Sequence, residues 1–170
     1  MKTLFIIAQE GYQDHEYGVP KKILEDAGTE VITASKDVGP CKGKLGGTTE
    51  AEVAIADVNV SDYDAIIFVG GPGAVTYQKD VQAHLTAQEA INREKVLGAI
   101  CIAPTILAFA GVLDGKKATV WNEDGKQSTV LEENGATFVD EQVVVDGKII
   151  TANGPEAAEA FGKKIVELLQ

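Results

Sequence analysis

Five short apolar runs, separated by stretches with helical spacing, constrain this 170-residue chain more than any other feature. They are "KTLFIIA" (2–8), "TEVITAS" (29–35), "YDAIIFVGG" (63–71), "KVLGAI" (95–100) and "KKATVW" (116–121). Each is rich in β-formers and runs apolar rather than strictly alternating. A strand with one wet face alternates, whereas a strand covered on both faces does not, and double cover is the condition of a parallel sheet between helices.

The intervening segments supply those helices. "VPKKILEDAG" (19–28) ends on a glycine in the C′ manner, and Gly18 and Pro20 predict that regular helix begins only near residue 19. Residues 77–94 set Val81, His84, Leu85, Gln88 and Ile91 at helical spacing. "APTILAFAG" (103–111) has proline in its first turn and glycine at its end. "VVVDGKIITA" (143–152) reads as a hairpin turning on Asp146-Gly147. "GPEAAEAFGKKIVELL" closes the chain as a helix with Phe161, Ile165 and Leu168 on one stripe. The polar, Gly-rich segment 36–61 is predicted to wander or to form a small hairpin. The whole is an α/β chain: a three-layer sandwich with a doubly wound, mostly parallel sheet and a late antiparallel hairpin. No repeat or linker divides it, and 45 % hydrophobic residues over this length suit one domain spanning 1–170.

Charge narrows the partners. A formal net charge of −11 argues against binding nucleic acid or an anionic membrane, both of which need clustered Lys and Arg. The apolar start, Leu4 to Ala8, is shorter than the roughly 7–15 residues of a signal-peptide core. No apolar run approaches the ~18 residues of a membrane span, so a soluble cytoplasmic protein is expected. Cys41 and Cys101 then read as two free thiols, Cys41 an incidental one. No His/Cys/Asp/Glu spacing suggests a metal site. "GGPG" (70–73) lacks both the Walker lysine and a full G-x-G-x-x-G, so no cofactor is expected.

Ligands bind open parallel sheets at the carboxyl ends of the strands, and three unusual loops lie there. "QEGYQDHEYGVP" (9–20) carries Glu10, Asp14, His15 and Glu16; "GGPGA" (70–74) follows the third run; Cys101 follows the fourth. Strand–Cys–helix is the arrangement of a nucleophile elbow, with a helix N-terminus aimed at the side chain. That dipole contributes only ~0.3–1 kcal/mol, up to ~2 in favourable sites. Lowering a thiol pKa from ~8.5 to ~5.5 requires about 4 kcal/mol. A hydrogen bond to the sulfur is needed as well, and a protonated carboxylic acid from the first loop would supply it. A charged carboxylate would instead raise the thiol pKa.

The same loops resemble the ThiJ/PfpI superfamily, which is related to class I glutamine amidotransferases. The likeness rests on "HEYGVP", "DYDAIIFVGGPG", "GAICIAPTILAFAGVLDGKKAT" and the closing "NGATFVDEQVVVDGKIITANGPEAAEAFGKKIVELL", so it covers nearly the whole chain. It implies a flavodoxin-like sandwich, Cys101 as nucleophile, and a protonated Glu16 hydrogen-bonded to its sulfur. It also implies an oxyanion hole from the backbone N–H groups of Gly71 and Ile102, and a homodimer or higher homo-oligomer. His15, Gly73, Trp121 and Asn122 are the candidate substrate-pocket residues. Ile102 stands where PfpI-type members carry His after the cysteine, and Trp121 where others carry His after the next strand. Three functions follow. The first is glyoxalase III or deglycase-like chemistry on small reactive carbonyls. The second is a cysteine peptidase or amidase, its His supplied by another subunit. The third is a redox sensor or stress chaperone that oxidises Cys101 to a sulfinate.

Overall fold

Successive side chains of the central strands point to opposite faces of one sheet, which is why the apolar runs are continuous. In β1 (Lys2–Ile6), Leu4 and Ile6 join one core cluster and Phe5 the other. In β7 (Ala65–Phe68), Ile66 and Phe68 divide from Ala65 and Ile67 in the same way. The computed structural model describes residues 1–170. The remaining core strands are β3 (Glu30–Ser35), β6 (Val53–Ala54), β8 (Val96–Ile100), β11 (Val143–Asp146) and β12 (Ile149–Ala152). The helices are α1 (Asp14–Asp26), α2 (Val81–Asn92), α3 (Pro104–Phe109), α4 (Gln127–Glu133) and α5 (Ala158–Leu169). The small strands β2 (Glu10–Tyr12), β4 (Gly39–Gly43) and β5 (Thr48–Ala51) form a three-stranded side sheet, and β9 (Lys117–Ala118) pairs with β10 (Thr137–Phe138).

The seven-stranded sheet runs β11-β12-β8-β7-β1-β3-β6, parallel throughout except for the β11–β12 hairpin. One cluster packs α1 and α5 beneath it through Leu24, Phe161 and Ile165; the other packs α2 and α3 above it through Ala87, Ala90, Ile106 and Leu107. This is the expected three-layer, mostly parallel α/β sandwich. From β1 the chain moves first outward to β3 and then back across to β7, so the order reverses between β1 and β7. The crevice at the carboxyl ends of these two strands is where such a sheet receives a ligand.

Two local expectations change. Regular helix starts at Asp14 rather than near residue 19, because Gln13 caps it: its Oε1 accepts the N–H groups of His15 at 2.7 Å and Glu16 at 3.1 Å. Pro20 is therefore inside α1, where the Glu16 carbonyl goes without its usual i+4 donor. In α2, the helix that the spacing predicts, Val81 and Leu85 are 67 % and 52 % exposed and the buried face is Ala83, Thr86, Ala87 and Ala90. Small residues on that face let the helix lie close to the sheet. Only Lys117–Ala118 of the run 116–121 is strand, because β12 already occupies the edge of β8. The rest is held otherwise: Thr119 N–H donates to Thr151 Oγ1 at 2.9 Å and Trp121 N–H to the Cys101 carbonyl at 2.8 Å. Within segment 36–61, β4 and β5 form the small antiparallel hairpin expected there. No helix is long and apolar enough to cross a membrane.

Candidate active site

Cys101 sits at a bend that its residue type rarely adopts. Its φ of +65° is one of only two positive values outside glycine. Such a backbone costs ~1–3 kcal/mol and persists only where the surroundings hold it. Here the Cys101 N–H donates to the Ala152 carbonyl at 2.9 Å, and its carbonyl accepts the Trp121 N–H. β8 thus ends in a turn that lifts the thiol out of the sheet before α3 begins.

Two glycines leave room for what meets it. A Cβ on Gly70 would lie 2.5 Å from Glu16 Oε2 and 2.6 Å from Cys101 Cβ, so carboxyl and cysteine converge on one point of the β7 loop. Gly71, at φ +104°, carries the chain past the first loop, where a Cβ would lie 2.4 Å from the Gly11 carbonyl oxygen. The backbone N–H groups of Gly71 and Ile102 lie beside the Cys101 thiol and pull it down.

Glu16 is fully buried in the first turn of α1. Its Oε2 accepts the Gly70 N–H at 3.1 Å, and its Oε1 has no hydrogen-bond partner. Burial pushes this carboxyl up to about 7, opposed by the neighbouring Cys101 thiol, the Gly70 N–H and the charge of Lys44. Burial also pushes the Cys101 thiol up, and a charged Glu16 pushes it further, while the Gly71 and Ile102 N–H groups pull it down. The expectation of a depressed thiol is therefore not met, because burial and Glu16 together outweigh the two N–H groups. Each group's charge opposes the other's, and the pair titrates as a unit.

The raised carboxyl has a stability consequence. A carboxyl raised from 4.5 to about 7 on folding costs nothing below pH 4.5; the cost accrues between the two values and is complete above pH 7. Relative to Glu16→Gln, the wild-type protein is expected to lose about 3 kcal/mol of stability between pH 4 and pH 8. Urea denaturation of both proteins across that range measures it, and a constant difference would show that the carboxyl is not desolvated.

Cys101 opens into a pocket of about 400 Å³ lined by Gln13, Glu16, Lys44, Trp121, Gln127 and Pro155, with Gly71, Ile102 and Val75. A neighbouring cavity of about 620 Å³ shares Trp121 and Pro155 with it and includes Asn122. Of the candidates from sequence, Cys101, Glu16, Gly71, Ile102 and Trp121 come together. Three do not. His15 is exposed and does not line the pocket, because the helix turn that buries Glu16 faces its neighbour outward. Gly73 packs against β2, where a Cβ would lie 1.9 Å from the Glu10 carbonyl oxygen. Asn122 lines only the neighbouring cavity, its Oδ1 accepting the Ser128 N–H at 2.9 Å. Sequence reasoning missed Gln13, Lys44, Gln127 and Pro155. Glutamine is not a favoured N-cap residue, so nothing local marks Gln13 or the other three. His84 lies outside the pocket, its Nε2 2.7 Å from the Gln78 carbonyl oxygen. No cluster of three or more metal-ligating side chains is present.

Comparison with known proteins agrees with this geometry over the whole fold. Residues 1–168 match the DJ-1/PfpI family. The chain belongs to that family. Among its DJ-1/PfpI relatives is Deglycase PH1704 of Pyrococcus horikoshii, 32 % identical over the full length of both chains. The glutathione-independent glyoxalase DJR-1.2 of Caenorhabditis elegans is 28 % identical, covering 99 % of this chain and 88 % of its own. The crystal structure of a ThiJ/PfpI domain protein from Brachyspira murdochii superposes with a TM-score of 0.94 at 32 % identity, covering 99 % of this chain and 95 % of that one.

Proposed function

We propose that this chain is a cysteine-dependent enzyme acting on small reactive carbonyls, with glyoxalase and deglycase-like chemistry. The observation that carries the reading is the convergence of Cys101, at its strained bend, with the buried Glu16 carboxyl and two N–H donors at the floor of one pocket. The deglycase and glyoxalase names of two relatives support the substrate class.

The reactive form has the proton on Glu16 and the negative charge on sulfur, where the Gly71 and Ile102 N–H groups stabilise it. Sulfur attacks the aldehyde carbon of a 2-oxoaldehyde such as methylglyoxal. A C–S bond forms, the carbonyl π pair moves to oxygen, and Glu16 protonates that oxygen to give a hemithioacetal. The Glu16 carboxylate then removes the hydrogen on the same carbon as a proton, leaving an enediolate, and returns it to the neighbouring carbon while the first carbon's hydroxyl proton passes to the ketone oxygen. The product is a thioester of the 2-hydroxy acid. Water cleaves it, restoring the thiol and releasing lactate, so the net change is methylglyoxal plus water to lactate. A peptidase reading would need a histidine from another subunit to protonate a leaving amine, since this chain places none in the pocket.

Purified protein is expected to form lactate from methylglyoxal without added thiol. Glu16→Gln should lower kcat about 10²-fold or more, and Cys41→Ser, remote from the pocket, should retain it. Absence of turnover, with mild peroxide adding two oxygens at Cys101 alone, would replace the enzyme by the sensor.

A further inference from the structure

We propose that Lys44 and Gln13 form an anion-binding subsite, which selects 2-oxoaldehydes bearing a carboxylate beyond the ketone. This rests on the carbonyl-enzyme reading above and names its substrate class. Lys44 is the only cationic side chain lining the cysteine pocket, and its ammonium makes neither an ion pair nor a hydrogen bond in the structure. The second donor is independent of it. Gln13 is only 8 % exposed and lines the same pocket. Its oxygen is fixed by accepting two helix N–H groups, so its other terminal atom is the amide nitrogen, which has no partner.

The backbone that carries Lys44 is built rather than loose. Lys44 N–H donates to the Tyr12 carbonyl at 2.8 Å. On either side of the loop, Asp14 accepts the Leu45 N–H at 2.7 Å and the Gly47 N–H at 2.8 Å. Gly43 and Gly47 wrap that carboxylate so closely that a Cβ on either would lie 2.3 or 2.4 Å from Asp14 Oδ1. Asp14, in the first turn of α1, therefore ties the loop bearing Lys44 to the helix bearing Glu16. A lone cation at the pocket matters in a chain of net charge −11, whose overall field repels anions. Lys44 and the Gln13 amide together offer a carboxylate one charge and several N–H donors.

The test compares 4,5-dioxopentanoate, a 2-oxoaldehyde with a terminal carboxylate, with methylglyoxal. The same chemistry plus one water converts the former to 2-hydroxyglutarate. Lys44→Met is expected to lower the ratio of kcat/KM values, dioxopentanoate over methylglyoxal, about five- to tenfold, with KM carrying the change. Lys44→Arg should restore the ratio, and Lys42→Met, on exposed β4 outside the pocket, should leave it unaltered. An unchanged ratio in Lys44→Met, or an equal fall for both substrates, would overturn the proposal. A second readout needs no turnover. Trp121 is the only tryptophan and lines the pocket, so its fluorescence reports occupancy. In the Cys101→Ser background, 4-oxopentanoate should bind about five- to tenfold more weakly once Lys44→Met is added. Lys44-dependent binding without turnover of either aldehyde would sink the enzyme reading and keep the subsite; turnover with Lys44-independent binding would do the reverse.

Discussion

Cys101→Ser should reduce lactate formation by at least about 10³-fold, to background. The substitution changes one atom at a half-buried bend, so fold and pocket should survive, and unaltered Trp121 fluorescence would show it. What disappears is the nucleophile. A serine hydroxyl in the same place has no imidazole to take its proton, and Glu16, which already holds its proton when the attack begins, cannot take it. Gly71 and Ile102 would still point at the oxygen, yet donors that stabilise an anion cannot generate it. Lactate formation persisting at even a tenth of the wild-type rate would show that Glu16 enolises the substrate without a covalent intermediate, and the proposed mechanism would fall.

Gly71→Ala should destabilise the protein by about 4 kcal/mol or more and remove activity with it. Two costs combine. The backbone at φ +104° and ψ +164° belongs to a region that only glycine occupies readily, and a new Cβ would lie 2.4 Å from Gly11 oxygen and 2.5 Å from Gln13 nitrogen. Both neighbours are main chain, so neither can rotate away. Any relief must separate the β7 loop from the loop ahead of α1, the two segments whose approach brings Glu16 to Cys101. The Gln13 N–H, which donates to the Gly70 carbonyl at 3.0 Å, holds them together and would be lost with the shift. Gly18→Ala, where nothing lies within 4 Å of the added Cβ, is the matched control and should change stability little. Equal denaturation midpoints for the two variants would show that the loops are not locked as the structure has them.

Much of the framework was readable one segment at a time. Continuous apolar runs marked strands covered on both sides, and β1, β3, β7 and β8 lie where those runs predict. Asp146-Gly147 marked the β11–β12 turn, with Gly147 at φ +62°. "AIC" before Pro104 marked the elbow. These succeed because period, turn type and helix start are decided by a residue and its near neighbours. The same local logic misplaced the start of α1, because proline's cost inside a helix is real but was outweighed by a cap at Gln13 and by packing of Pro20 against Gly162 of α5. It could not choose which face of α2 is buried, because that depends on how close the sheet lies, and the small residues won.

By itself, then, the sequence determined an α/β layered fold, the cysteine at a strand end and a carboxylate near the following layer's helix start. Only the tertiary structure decided that Lys44, Gln127 and Pro155 wall the cysteine pocket while His15 and Gly73 do not. Pocket walls are assembled from segments as distant in sequence as Gln13 and Pro155, by strand order and loop closure. No local pattern encodes which loops meet, because that is fixed by the total free energy of packing the sheet and its helices.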